Sequence, residues 1–233
     1  MPDRAPQKDI PAITTTAELA AFCESLRDES YITVDTEFLR ETTYYPKLCL
    51  IQIAGSKAAA LIDPLSKDID LAPFFALMAD TRVLKVFHAA RQDVEIMINL
   101  ADAVPTPIFD TQIAAMVCGF GDQVGYEAIV RKLAGAQIDK SSQFTDWSRR
   151  PLTQKQMAYA LSDVTHLRTV YEKLTAQIAR ESRNDWLEGE LGDLANPASY
   201  RVDPEQSWRR IKARIQNKKQ QAALMAVAAW RER

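Results

Sequence analysis

Residues 31–38, YITVDTEF, decide the reading of the fold, because apolar and polar side chains alternate along them as in a strand with one buried face. A period of two puts Thr33, Asp35 and Glu37 on one face and Ile32 and Val34 on the other. The β-branched neighbours predict a buried central strand, where acids are seldom placed without a partner. Both carboxylates point the same way. Packing two like charges side by side in a core desolvates and repels both unless a cation lies between them, and a divalent metal is the simplest such cation. Paired acids on a half-exposed strand are common, so the weight of this pair depends on what surrounds it.

Working outward, Thr14, Thr15 and Thr16 precede AELAAFCESLRDE, in which Leu19, Phe22, Cys23 and Leu26 recur at helical spacing after plausible caps. Short β-branched and apolar runs predict further strands at 48–54, 58–62 and 83–87, separated by Tyr-Pro, Gly-Ser and Asp-Pro turns. Helical patterns are expected at 69–79, 91–101, 111–118 and 125–134, with a short strand near 107–110. Residues 135–152 are polar and mostly aperiodic, which predicts a surface loop. A long helix then runs from Thr153 to about Arg180, with Ala160, Val164, Leu167, Tyr171 and Leu174 on its apolar face, and helices dominate to the end. The class is α/β.

With 233 residues and 47% hydrophobic side chains, the chain can bury one substantial core and carry a small appendage. Cys23, Cys49 and Cys118 lie far apart in no CxxC or Cys/His cluster, which supports neither a disulfide framework nor a zinc site. The polar start MPDRAPQKDI is unlike an apolar signal segment, and no run reaches the roughly 18 apolar residues of a membrane span, so a soluble cytoplasmic protein without a membrane partner is expected. Seven glycines form no GxGxxG or Walker pattern, which argues against nucleotide-cofactor chemistry. The formal charge of −2 hides an asymmetry: Ser199–Arg233 holds nine Lys/Arg against three Asp/Glu, and the preceding residues are acidic. WRRIKARIQNKKQQ is either a grip for phosphates or a solvated helix face.

Two further segments carry acids. Asp93 stands near the first turn of the helix at 91–101, after His88 and Gln92. Alone it reads as an acid favourably placed at a helix N-terminus, and His88 as a satisfied loop histidine. Tyr159 and Asp163, four residues apart on the long helix, share a face with His166, and that face is expected to differ from the Ala160/Val164/Leu167 stripe. A phenol one turn from a carboxylate can hydrogen-bond a water that the carboxylate helps to hold, although a plain surface pair fits equally in isolation.

The joint pattern decides. Asp-x-Glu on an early strand, Asp opening a helix after a later strand, and Tyr-x-x-x-Asp on a late helix resemble the three exonuclease motifs of the DEDD superfamily in its tyrosine-bearing subclass. VDTEFLRETTYYPKLCLIQIA, HAARQDVEIM, FDTQIAAM, DKSSQFTDWSRRPL and QMAYALSDVTHL together resemble ribonuclease D over roughly residues 30–175. The resemblance implies an RNase H-like exonuclease fold, a mixed β-sheet flanked by helices with a helical C-terminal extension. Its expected domains are a 3′–5′ exonuclease domain over 1–195 and a basic tail over 196–233 similar to the start of an HRDC domain; ribonuclease D proteins normally continue further.

It further implies removal of nucleoside 5′-monophosphates from RNA 3′ ends, with transfer RNA precursors as the suggested substrates. Asp35, Glu37, Asp93 and Asp163 would hold two Mg²⁺ or Mn²⁺ ions, hard cations that prefer oxygen ligands. Tyr159 would orient the attacking water. Glu37 and the backbone of Phe38 would meet the terminal 3′-hydroxyl, and His88, Gln92, Lys140 and Arg149 are candidates for substrate contact. Trp147 and Arg150 are expected to anchor the loop to the body. Two other functions share the fold: a DNA 3′–5′ exonuclease, and a non-catalytic RNA-binding scaffold, against which the four intact acids argue.

Overall fold

The strand expected at 31–38 forms as β2, Tyr31–Leu39, in the interior of a six-stranded sheet. The computed structural model describes residues 11–233 apart from Thr42, Val202 and the side chain of Lys140. β3 (Lys47–Ala54) returns antiparallel beside β2, and β4 (Ala59–Ile62) returns antiparallel beside β3. β5 (Leu84–Phe87) and β6 (Ile108–Asp110) reach the other side of β2 through helical crossovers and so run parallel to it. β1 (Ala12–Ile13) pairs parallel with β4 at the far edge; two residues leave no alternation to detect, and the sequence reading does not include it. The order β1-β4-β3-β2-β5-β6 makes the sheet mixed, as expected.

The helices are α1 (Thr16–Ser25), α2 (Ala72–Ala79), α3 (Arg91–Ala101), α4 (Thr111–Val117), α5 (Tyr126–Leu133), α6 (Gln154–Arg180) and α7 (Asn184–Ala195). Capping explains several ends. Thr15 and Glu18 form a reciprocal capping box on α1, as do Thr153 and Gln156 on α6. α2 starts three residues later than its apolar pattern suggests, because Asp70 accepts the Ala72 N–H at 2.8 Å and Pro73 fills the first turn. The long α6 lies across β2, β3 and β4, and the Thr33 hydroxyl donates to the Val164 carbonyl at 2.8 Å, fixing helix to sheet at one point. On the opposite face Ile32, Val34, Ile51 and Ile53 are fully covered, and α1, α2 and α3 supply Leu19, Phe74 and Val94 to the buried core.

Residues up to Asn196 form one compact unit and Pro197–Arg233 a second. In the second unit a 3₁₀ segment at Pro204–Arg210 packs with α8 (Lys218–Glu232), burying Ser207, Ala228 and Ala229, and Arg233 pairs with Glu205. Arg209, Arg210, Lys212, Arg214, Lys218 and Lys219 are all exposed. The three cysteines are buried and free. Among the described residues no helix is long and apolar enough to cross a membrane.

Lys85 is the one fully buried cation of the sheet, on the face away from α6. Its ammonium donates to the carbonyls of Asp80, Val83 and Thr106 at 2.7, 2.8 and 2.5 Å, gathering the turn before β5 and the loop before β6. Burial pulls its pKa down to about 8. Three carbonyl acceptors compensate the charge; the Asp80 carbonyl also accepts from the Val83 amide at 3.2 Å, so removing the donor takes the lysine partner from the Val83 and Thr106 carbonyls above all. Lys85→Met is expected to lower unfolding free energy by about 2–4 kcal/mol, since each stranded buried acceptor costs on the order of 1 kcal/mol or more. Urea denaturation at neutral pH checks this; a loss below about 0.5 kcal/mol would mean that the carbonyls find water instead.

Candidate active site

β2 carries its acids through a bend. Register runs from Asp35 opposite Gln52 to Glu37 opposite Leu50, then jumps so that Phe38 faces Leu48. The skipped residue, Cys49, is a bulge on β3, a feature that re-aims side chains beside it. The bulge is held from outside: Arg150 donates from Nη2 to the Cys49 carbonyl at 2.7 Å while its guanidinium grips both oxygens of Asp63 at 2.6 Å. Trp147, 2% exposed, packs with Cys49, Leu50, Leu61 and Ala160. Both residues expected to anchor the 135–152 loop are thus tied into the body.

Asp93 arrives from the other side. β5 pairs only with Tyr31–Thr33, so the second half of β2 runs past the end of β5 and leaves room for the N-terminus of α3. There the Thr36 hydroxyl donates to Asp93 Oδ1 at 2.5 Å. The turn into α3 is clamped by Asp110, which accepts from the Ala89 and Ala90 amides at 3.0 and 2.8 Å and also from Gln112 N as the cap of α4. Ala89 sits at φ 58°, a conformation costing a non-glycine residue roughly 1–2 kcal/mol, so the clamp holds the backbone where it would not rest by itself. Sequence reading quotes FDTQ without a role for Asp110; its place just before a helix was the available signal.

Asp163 is placed differently from expectation. It is 6% exposed and falls on the buried side of α6 with Ala160, Val164 and Leu167, because positions three and four apart share one helix face. His166 does not line the cavity at the site. Tyr126, which sequence reading missed, donates its hydroxyl to the Asp163 carbonyl. An aromatic in the first turn of an amphipathic helix reads as ordinary core, and nothing in the sequence separates it.

Asp35, Glu37 and Asp163 each bring a carboxylate oxygen within 4.8 Å of the others. Asp93 is near enough to act on them electrically, but stands outside this triangle with one oxygen taken by Thr36. Burial, followed by mutual repulsion, raises the whole group. Asp35 is pushed up to about 6 by burial, and Asp163 to about 8 by burial and the charge of Asp35. Glu37 rises through burial and then Asp35, Asp163 and Asp93, and Asp93 rises through burial and then Asp35. Asp163 Oδ1 is buried without a hydrogen-bond partner. Four hard oxygen donors, crowded, partly protonated and including a free buried lone pair, suit divalent cations of the Mg²⁺ or Mn²⁺ kind.

The Tyr159 ring stands 6.2 Å from that of Trp147, and its hydroxyl bonds Asp163. Burial first, then Asp163, Glu37 and Asp35, hold the phenol protonated well above its ordinary range. Tyr159 lines two spaces. One is a cavity of about 120 Å³ shared with Asp35, His88, Tyr126, Asp163 and Leu167; the other is an open groove of about 620 Å³ shared with Gln137, Asp139, Gln154, Lys155, Ala158 and Ser162.

The expected substrate contacts scatter. His88 lines the small cavity, but both ring nitrogens are engaged: Nε2 donates to the Val124 carbonyl at 3.1 Å and Nδ1 meets the Thr111 hydroxyl at 2.9 Å. Phe38 is half-buried just beyond the bulge, and Gln92 is exposed on the first turn of α3. Arg149 is exposed and pairs with Asp146 at 3.1 Å inside its own loop. The side chain of Lys140 lies outside the described residues. Phe144, 93% exposed, is an aromatic in the same loop that sequence reading did not single out.

Comparison with known proteins agrees with this arrangement. Ribonuclease D of Acidiphilium cryptum is 55% identical over 221 residues, covering 95% of this chain and 56% of that protein, and ribonuclease D of Nitrobacter hamburgensis is 54% identical over 220 residues, covering 94% and 58%. The crystal structure of Escherichia coli RNase D, described as an exoribonuclease involved in structured RNA processing, superposes with a TM-score of 0.84 at 36% identity over 96% of this chain and 60% of that one. The chain therefore spans somewhat over half the length of these relatives, and shares with them the RNase H-like exonuclease fold. A family profile described as 3′–5′ exonuclease matches residues 10–179. With its carboxylates gathered on that fold and most of its length matched, the chain belongs to the 3′–5′ exonuclease family, among relatives named ribonuclease D.

Proposed function

We propose that this chain is a metal-dependent 3′–5′ exoribonuclease, releasing nucleoside 5′-monophosphates one at a time from RNA 3′ ends. The convergence of Asp35, Glu37 and Asp163 within 4.8 Å carries the reading, since like charges at that spacing, two half-buried and one buried, are best relieved by cations. Asp35, Glu37, Asp93 and Asp163 would hold two Mg²⁺ or Mn²⁺ ions. When bound, these would supply positive charge to the attacking and departing oxygens of an in-line displacement at phosphorus.

The chain's own residues do the rest. A phenol, ordinarily titrating at about 10, suits a hydrogen-bonding role better than that of a strong base, so Tyr159 orients a water rather than deprotonating it. Glu37 and the backbone of Phe38 receive the terminal 3′-hydroxyl. The groove beyond Tyr159, with Gln154 and Lys155 on its wall, gives the preceding nucleotides a path away from the carboxylates. Gln92, Lys140 and Arg149 add phosphate or base contacts, and His88 contributes its ring. The exposed cations between Arg209 and Lys219 add sequence-independent grip on phosphates, in a segment resembling the start of an HRDC domain. RNA is favoured over DNA by the relatives' names. Trimming of transfer RNA precursors in the cytoplasm is the setting this reading implies.

Matched 3′-labelled RNA and DNA oligonucleotides, with and without Mg²⁺ or Mn²⁺, test the reaction. Labelled mononucleotide should leave the RNA only with metal, and Asp35→Asn or Asp163→Asn should each lose about 10³-fold or more in turnover while remaining folded, because such ligands act as a unit. Turnover that survives chelation would overturn the metal mechanism. Faster attack on DNA would make the chain a DNA exonuclease, and RNA binding without cleavage would make it a scaffold.

The acids also set a pH dependence for the metal-free chain. Their folded pKa values lie above the ordinary range near 4, so the folded state holds protons that the unfolded chain releases. Their contribution to stability is therefore present at acid pH and lost as pH rises through about 6 for Asp35 and about 8 for Asp163. Tm without metal should fall between pH 5 and 8, and Mn²⁺ should raise it more at pH 8 than at pH 5. Equal Mn²⁺ shifts at both pH values would detach these carboxylates from metal binding.

Tyr159→Phe should keep Mn²⁺ affinity and RNA affinity but slow single turnover by up to about 10²-fold, through misorientation of the water. Unchanged single-turnover rates would remove the hydroxyl from the reaction, whereas weakened Mn²⁺ binding would make it a support for Asp163.

A further inference from the structure

Gln52 is fully buried in the middle of β3, and neither atom of its amide has a hydrogen-bond partner. An amide stranded in this way costs about 1–3 kcal/mol relative to one that is paired, and a methionine of similar shape would avoid the cost. Its surroundings narrow what it can be for. Gln52 is directly opposite Asp35 on β2 and directly opposite Leu61 on β4, so its side chain shares the α6-facing side of the sheet with both. Cross-strand partners hold their Cβ atoms about 4.5–5.5 Å apart, within reach of a glutamine side chain. Leu61 can accept nothing, whereas Asp35 carries two acceptor oxygens. Thr33, the next polar group along this face of β2, already has its hydroxyl on the Val164 and Ala54 carbonyls. The other stranded atoms among the described residues are Asp163 Oδ1, an acceptor that can give a carboxylate nothing, and Trp147 Nε1, a donor whose ring packs with Cys49, Leu50 and Leu61.

From this geometry, we infer that Gln52 is a positioning residue for Asp35: when a cation is bound, its amide N–H, unpartnered in the metal-free chain, donates to one carboxylate oxygen and leaves the other toward the cation. The inference rests on the metal-dependent reading above and assigns a role to a residue outside the four acids and Tyr159. The Thr36 amide is the donor Asp35 already has, and it approaches along the strand rather than across it. Gln52 would supply the second, from the neighbouring strand, fixing rotation about the side chain as well as charge. Hydrogen bonds of this kind to ligating carboxylates are typically worth about 10–100-fold in metal affinity.

Gln52→Met separates this role from packing. The metal-free variant should match or exceed the parent in Tm, while its Mn²⁺ dissociation constant by calorimetry rises about 10-fold or more and kcat on a short RNA falls at little changed KM. Mn²⁺ affinity and kcat within twofold of the parent would overturn the inference and leave Gln52 a packing residue. A parent that binds no Mn²⁺ would instead overturn the metal-dependent reading beneath it. Should the variant fail to fold, the unaltered chain still decides: the Gln52 side-chain amide, ¹⁵N-labelled and assigned through its own side-chain correlations, should shift and exchange more slowly as Mg²⁺ is added. An amide signal that does not move overturns the proposal.

Discussion

Mutual repulsion among buried carboxylates is the constraint around which the first unit of this protein is arranged. Asp35, Glu37 and Asp163 would move apart if their backbones allowed it, and desolvation adds to the cost of keeping them charged. The restraints accordingly act on backbones, leaving most carboxylate oxygens uncommitted. Thr33 bonds the Val164 carbonyl and Tyr126 the Asp163 carbonyl, so α6 cannot slide along the sheet. Asp110 pins the strained turn at Ala89 and thereby the start of α3. Arg150 holds the Cys49 bulge opposite the bend in β2. Thr36 and Tyr159 are the exceptions, because their hydroxyls bind the carboxylates of Asp93 and Asp163 directly, and Asp93 is the acid that stands outside the triangle. Such a site is predisposed to cations, because the backbones cannot move apart and protonation is the relief that remains without them.

The sequence disclosed what periodicity and chain order encode. Alternation at YITVDTEF identified β2 and the face of its acids, and 3.6-residue spacing identified α6 and its extent to Arg180. What stayed hidden depends on contacts between distant residues. The bulge at Cys49 follows from register between two strands, which neither strand specifies alone. Asp163 was assigned to a face apart from the apolar stripe, since a charged residue reads as surface unless a neighbour is known to neutralise it; in the fold it lies on the stripe itself. Tyr126 and Gln52 were invisible for the converse reason: an aromatic and an amide inside apolar runs look like packing until their partners, or the lack of them, can be seen.

The loop at 135–152 shows how an aperiodic segment can still be structurally committed. Its polarity correctly marks a surface connection, yet Trp147 is buried beneath it and Arg150 reaches both Asp63 and the β3 backbone. The loop is therefore part of the wall that supports Tyr159, through the Trp147 ring, and its exposed side chains Phe144 and Arg149 project from a fixed base. A fixed base lowers the ordering entropy that contacts to a flexible strand would otherwise have to overcome.

Tyr159 is the residue common to the smaller cavity and the larger groove. Its hydroxyl is bonded to Asp163, and the surrounding acids keep it protonated. While the carboxylates are crowded and without cations, donation to Asp163 is the most favourable use of that proton, and it lowers the pKa of Asp163 in return. Cations on the same carboxylates would remove the excess negative charge that attracts the hydroxyl, freeing it to reach a water at the mouth of the cavity. On the proposed mechanism the phenol's orientation would thereby be linked to occupancy of the acids: bonded to Asp163 without cations, it would be released to position the nucleophile with them.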